Sequence, residues 1–176
     1  MENRLDSTQI FESERLLLRP LTLSDADLVF DLRSNDEVNK YIDRVKCASK
    51  EQAIEFIEKV ITPGNDVLYR AIISKKLKKL VGGICLLRPE YGNNLCEIGY
   101  ELLPEYQGQG IMQESAKIFL NFALNKLKFD SIVAYINPMN IRSATLAMKL
   151  GFKKIKNVQI KEMNFDQYSC QNKDVK

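Results

Sequence analysis

The run Gln107-Gly108-Gln109-Gly110-Ile111-Met112 places two glycines directly before an expected helix. It follows an apolar, strand-like segment, Cys96 to Leu103. Glycine has no Cβ, so backbone at such a strand-to-helix turn can come close to a ligand. The first turn of a helix adds unpaired N–H groups and the positive end of the dipole, which together suit phosphate. A turn packed for structural reasons is the alternative reading of this motif taken alone. Along the preceding strand, alternation puts Glu97, Gly99 and Glu101 on one face and Ile98, Tyr100 and Leu102 on the other. Two carboxylates on one face would attract a cationic amine, and either could take its proton through water. A strand glutamate facing solvent or paired with lysine is the structural alternative.

Other chemistries are excluded by what the chain lacks. It has no histidine, which removes a His-dependent triad, a His zinc site and a His general base together. Cys47, Cys85, Cys96 and Cys170 are scattered, with no Cys-x-x-Cys, so neither a zinc cluster nor a disulfide scaffold is expected. Free thiols in a reducing cytosol fit better, and Cys85 and Cys96 fall on strands expected to be neighbours. No metal site is expected. A dinucleotide fingerprint needs a third glycine early in a βαβ unit, and a P-loop needs Gly-Lys-Ser/Thr; both are absent here.

The second half supplies Asn140-Ile141-Arg142-Ser143 and Lys149-Leu150-Gly151-Phe152, with Glu97-Ile98-Gly99-Tyr100 upstream. This ordered set resembles the GNAT superfamily of acyl-CoA N-acyltransferases, whose pyrophosphate loop Gln107–Met112 matches. Glu14-Arg15-Leu16-Leu17-Leu18-Arg19-Pro20-Leu21, followed by Asp25-Ala26, is similar to the ribosomal-protein N-acetyltransferase branch, the RimJ/RimL type. The resemblance runs from about Phe11 to Tyr168. It implies acetyl-CoA as co-substrate and a primary amine as acceptor, a protein N-terminal α-amine or a small amine. It implies that Gln107, Gly108, Gln109, Gly110, Ile111 and Met112 hold the pyrophosphate, and that the pantetheine arm takes backbone hydrogen bonds near Glu101, Leu102 and Leu103. It also implies that Asn140 hydrogen-bonds the cofactor, although Asn is equally a favoured helix cap. Glu97 matches a glutamate that several family members use as general base. Ser143 could hydrogen-bond the sulfur of the leaving thiolate, or could cap or pack in a short helix. Two departures stand out: Met112 replaces a usually small residue, and Ala147 stands where many members carry a tyrosine acid. They keep a second reading open, an acyl-CoA-binding sensor or partner module without turnover.

These residues need elements to position them. Leu16–Arg19 reads as a first strand, and Ser24 as the cap of a helix through Ala26, Val29, Phe30 and Leu32. A polar stretch, Asn35 to Lys46, precedes a helix opened by a Ser49/Gln52 capping box and ended by Pro63-Gly64-Asn65-Asp66. Val67–Ile73, Leu80–Leu87 and Leu95–Leu103 read as an antiparallel meander. Lys75-Lys76-Leu77-Lys78-Lys79 forms a solvated turn within it. Apolar residues at 112, 116, 119, 123 and 127 mark a helix, then Ser131–Ile136 a strand. A helix over Ile141–Leu150 ends at Gly151, and Phe152–Val158 with Met163–Cys170 makes a final hairpin.

The expected class is therefore α+β, or mixed α/β: a mostly antiparallel sheet of about seven strands with about four helices, forming one domain over residues 1–176. The acceptor would lie between the early helices and the last hairpin, near Asp36, Glu37, Asp43, Glu162 and Asp166. Hydrophobic residues at 45% suffice for a core, and 26 basic against 23 acidic residues argue against nucleic acid. No apolar run approaches a membrane span and the N-terminus lacks a signal-peptide core, so a cytoplasmic monomer or homodimer is expected.

Overall fold

Alternating apolar residues and turn signals produce eight strands, and the longer 3.6-residue periods produce helices on both faces of the sheet they form. A computed structural model describes Leu5, residues 8–90 and residues 92–175. In chain order the strands are β1 (Phe11–Glu12), β2 (Leu16–Arg19), β3 (Val67–Ser74), β4 (Lys79–Glu90), β5 (Leu95–Leu102), β6 (Ser131–Ile136), β7 (Lys153–Ile160) and β8 (Met163–Gln171). The helices are α1 (Ala26–Ser34), α2 (Asp36–Asn39), α3 (Lys50–Ile61), α4 (Ile111–Asn121) and α5 (Ile141–Lys149). All eight strands form one sheet, ordered β1-β2-β3-β4-β5-β6-β8-β7. Every pairing is antiparallel except β5–β6.

Two cores flank the sheet. Ile111, Met112, Ala116 and Phe119 of α4, with Ala147 of α5, pack with Ile84, Ile98 and Leu102. On the opposite face Val29 and Leu32 of α1, with Ala53 and Ile57 of α3, pack with Tyr69 and Ala71. The strand alternation expected for Glu97–Leu102 thus sends the apolar set to the first core and the carboxylate set to the second face.

The sequence reading needs four corrections. β1 and α2 are additional elements, too short for periodicity to reveal. Within the polar stretch the Asn35 side chain accepts from the N–H groups of Glu37 and Val38 and so starts α2. Ser24 is not the cap of α1. Thr22 and Asp25 form a capping box around a 3-10 turn, Leu23–Asp25, and Asp25 is the N-cap residue of α1. Arg19 grips the same Asp25 with two hydrogen bonds of 2.7 Å. Burial alone would raise the Asp25 carboxyl, but Arg19 and Thr22 hold it below its ordinary range. Ser49 does precede α3, yet Gln52 accepts from the N–H of Ala48, so the box is not closed on Ser49.

The lysine run is the β3–β4 turn, with Lys78 at φ 53°. All four cysteines are free. Cys85 lies opposite Gly99 on the neighbouring strand, and Cys96 is buried and donates to the carbonyl of Leu87. Among the described residues, no helix is long and apolar enough to cross a membrane, and no group of three or more Cys, Asp or Glu side chains is placed to hold a metal ion.

Candidate active site

The site begins where parallel β5 and β6 part. They pair only at Leu95–Ser131, Cys96–Ile132 and Glu97–Val133, although both strands run on. Beyond Glu97 one edge of β5 is therefore open. Its other edge stays bound to β4, as in the 3.0 Å bond from the N–H of Leu103 to Val81. Backbone groups in an antiparallel pair alternate in direction. The groups of Ile98, Tyr100 and Leu102 consequently face the split. The Leu102 carbonyl accepts from the Gln107 side chain at 3.1 Å, and that side chain also accepts from Arg142 at 2.8 Å. Of the three positions expected to meet an extended ligand arm, Leu103 and Leu102 each have a backbone group already engaged, and Glu101 faces β4. Ile98 and Tyr100, which the sequence reading did not name, also turn their backbone groups to the split.

The split leads to the glycine turn. A 3-10 turn, Pro104–Tyr106, brings the chain to Gly108 at φ 75° and Gly110 at φ 76°, directly before α4. Positive φ is what demands glycine here. A Cβ on Gly108 would meet nothing within 4 Å, so the approach to this turn is open. Gly110 is the N-cap residue and gives α4 no side-chain cap, which leaves the first N–H groups of the helix without that partner. Arg15 steadies the turn through a 3.1 Å bond to the Gln109 carbonyl while gripping Glu114 with two hydrogen bonds. Ile111 and Met112 are buried in the first core, so the bulk of Met112 is taken up by packing. An anion with an extended thioester arm fits these groups: orphan N–H donors, an unobstructed turn and an open strand edge.

Across the split, Asn140 caps α5 by accepting from the N–H of Ser143 at 3.1 Å. The Ser143 hydroxyl lies 2.8 Å from that of Tyr100. Burial pushes the Tyr100 phenol up to about 12. Ala147 is buried in the first core and has no proton to give.

Glu97 stands at the branch point, its side chain 13% exposed. Burial raises its carboxyl above the ordinary range and Arg88 draws it part of the way back. Arg88 reaches it at 3.1 Å through a β-bulge. Leu87 pairs with Glu97 and Glu90 with Leu95, so β4 carries one extra residue, and Arg88 takes φ 48°. Simple alternation would have put Arg88 on the face opposite Leu87; the bulge re-aims it. Glu101 has a different environment. It is 5% exposed and forms ion pairs with both Arg33 and Arg44, and the Tyr69 hydroxyl donates to it at 2.8 Å. Tyr69 fits only because residue 83 is glycine, where a Cβ would sit 1.7 Å from the tyrosine oxygen. Its two oxygens are thus already engaged by two guanidinium groups and a hydroxyl.

The open edge of β5 with Glu97 and Glu101, the glycines of the turn, and Asn140 and Ser143 at the start of α5 line one open cleft of ≈ 1560 Å³. The acidic residues expected to receive the acceptor are mostly committed elsewhere. Asp36 pairs with Lys46, Asp43 with Lys161 and Asp166 with Lys154. Glu37 lies 3.9 Å from Arg142. Glu162 is exposed, and among the five only Glu37 and Asp43 line the cleft.

The family model for the acetyltransferase (GNAT) domain matches residues 15–153. The chain is 32% identical over 152 residues to the uncharacterized N-acetyltransferase YoaA of Bacillus subtilis (strain 168), covering 82% of this chain and 83% of that protein. The fold is similar to that of the ribosomal-protein-S5-alanine acetyltransferase from Vibrio fischeri, with a TM-score of 0.79 at 22% identity, covering 96% of this chain and 99% of the other. It is also similar to spermidine N-acetyltransferase from Vibrio cholerae in complex with CoA and spermine, with a TM-score of 0.80 at 18% identity, covering 92% and 98%.

Proposed function

The chain belongs to the GNAT acetyltransferase family, and from that premise we propose that it acetylates a primary amine, such as a protein N-terminal α-amine, by direct attack in a ternary complex. Acetyl-CoA supplies an activated acetyl group as a thioester. The N–H groups from Gly108 to Met112 bind its pyrophosphate, with Gln107 tying the turn to β5 and Arg142. The arm lies along the open edge of β5, against the backbone of Ile98, Tyr100 and Leu102. Asn140 holds the start of α5 beside it.

Glu97 takes the proton of the attacking amine. The C–N bond forms as the C–S bond breaks. An α-amine has a pKa near ~8, against ~10.4 for lysine, so a modest base suffices at neutral pH. The raised carboxyl of Glu97 is nearer that task than an ordinary one. Ser143 hydrogen-bonds the departing sulfur, and Tyr100 orients its hydroxyl from 2.8 Å. A thiol with a pKa near ~8.5 can leave as thiolate under that single hydrogen bond.

The observation that carries this reading is the opening of β5 from β6 at Glu97, with the uncapped start of α4 at its far end. The test has two parts. Acetyl-CoA at 100 times its dissociation constant should stabilise the fold by roughly 2.7 kcal/mol, seen as a higher melting temperature. Thiol release from acetyl-CoA should then depend on added amine, in a panel of ribosomal-protein peptides, polyamines and aminoglycosides. A melting shift without amine-dependent release would favour the non-catalytic sensor; no shift at all would remove both readings.

A further inference from the structure

We propose that the acceptor amine also carries an oxyanion, a carboxylate or phosphate, that is held by Arg33 and Arg44. This rests on the acetyltransferase reading and names the substrate class of the same cleft.

The inference comes from a charge imbalance. Arg33 at the end of α1 and Arg44 in the segment after α2 converge on Glu101 of β5. Arg33 Nη1 lies 3.5 Å from Glu101 Oε1, and Arg44 Nη1 pairs with Oε2. Both arginine side chains are only 15% exposed. A guanidinium cannot lose its charge inside a protein. Two fixed positive charges therefore share one carboxylate, and the Tyr69 hydroxyl competes for that carboxylate as a further donor.

The remaining contacts do not supply a second anion. Arg44 Nε donates to the neutral amide of Asn39 at 2.6 Å, and Arg33 lies 3.7 Å from the centroid of the Phe56 ring. Arg33 Nε and Arg44 Nη2 are buried without a hydrogen-bond partner among the described residues, as is Glu101 Oε2, which meets Arg44 only as an ion pair, so the one carboxylate present does not satisfy both guanidinium groups. The other carboxylates lining the cleft face other cations: Glu97 faces Arg88, Asp43 faces Lys161 and Glu37 faces Arg142. Lys40 and Lys59 also line the cleft and add to the excess. A buried charge is retained at little cost only when paired. The planar guanidinium fork matches carboxylate and phosphate oxygens. Glu101 lies four residues along β5 from Glu97 on the same face, roughly 13 Å at strand rise. An acceptor can thus put its amine near Glu97 and its oxyanion at the arginines. A polyamine carries only cations and suits this wall poorly.

The experiment measures amine-dependent thiol release by the full chain with matched probes. These are a dipeptide against its C-terminal amide, an aminoalkyl phosphate against the corresponding amino alcohol, and spermidine. In at least one pair the oxyanion-bearing member should have a kcat/KM about 10- to 100-fold higher, the worth of charge-assisted hydrogen bonds. Which pair responds identifies carboxylate or phosphate. Arg44→Gln should shrink that ratio toward one, chiefly through KM. Neutral probes or spermidine performing as well as the oxyanion probes would overturn the proposal.

Melting temperatures taken with CoA and each probe need no turnover, so they separate this proposal from the catalytic reading. The oxyanion member of a pair should give the larger shift even if no thiol is released. Equal shifts within both pairs would overturn the proposal whether or not Arg44→Gln folds.

Discussion

The proposed cofactor side of the cleft uses six consecutive residues, 107–112, and works mainly through backbone N–H groups at a glycine turn. The proposed acceptor wall draws Arg33, Arg44, Tyr69, Glu97 and Glu101 from the end of α1, the segment after α2, β3 and β5. One side depends on two left-handed glycines and a helix start, features that are local in the chain. The other depends on side chains brought together by the sheet and by a bulge at Arg88. A local device can be read as a motif, whereas a wall assembled across the fold can be read only once the register is known.

The largest effect that would break this division is expected at Glu97. Glu97→Gln keeps the shape of the side chain and removes the proposed base, so turnover should fall about 10²- to 10⁴-fold while acetyl-CoA affinity stays nearly constant. Raising the pH should recover part of the loss, and at lower pH for an α-amine than for lysine. Full turnover of the variant at neutral pH would mean that positioning, not proton abstraction, does the work.

A smaller effect on the opposite side should come from Gly110→Asp. It places a non-glycine residue at φ 76° and a negative charge beside the proposed phosphate site. Acetyl-CoA affinity should fall about 10- to 100-fold, which is ~1.4–2.8 kcal/mol, as titration calorimetry would show. The acceptor KM should move far less. A similar loss in both would mean that the two sides are not independent.

The smallest shift is expected from Arg88→Ala. Arg88 lowers a Glu97 carboxyl that burial has raised. Glu97 acts as base only when ionised, so the rate falls as pH drops through its pKa. Removing Arg88 lets that pKa rise, and the acidic limb of kcat/KM should move to higher pH. Arg88 is 65% exposed, so solvent screening keeps the change modest. An unmoved limb would detach Arg88 from Glu97 in function.

Much of the fold was legible in the sequence because periodicity reports long elements well. The meander, the helix after Gly110, the final hairpin and the lysine turn all lie where patterning places them. β1 and α2 were not legible, being two and four residues long. Caps were partly misread: Ser24 has the right chemistry, but Asp25 is fixed by Arg19, a partner six residues away that no local rule weighs. At the site, the turn and the orientation of Glu97 followed from glycines and alternation. The environment of Glu101 did not, since Arg33 and Arg44 lie far from it in sequence. Nor did the Tyr100–Ser143 contact, which joins β5 to α5 across the open split. Extra signal was present in Arg15, which the N-terminal motif contained and which binds the Gln109 carbonyl of the glycine turn.

The division of the cleft is tested most directly by a crystal structure of the protein with CoA bound. The predicted result has pyrophosphate oxygens within hydrogen-bond distance of N–H groups between Gly108 and Met112. The pantetheine arm should lie along the Ile98–Leu102 edge of β5, with its sulfur near Ser143 and with Arg33 and Arg44 untouched. CoA phosphates seated on Arg33 and Arg44, with the glycine turn empty, would contradict the account.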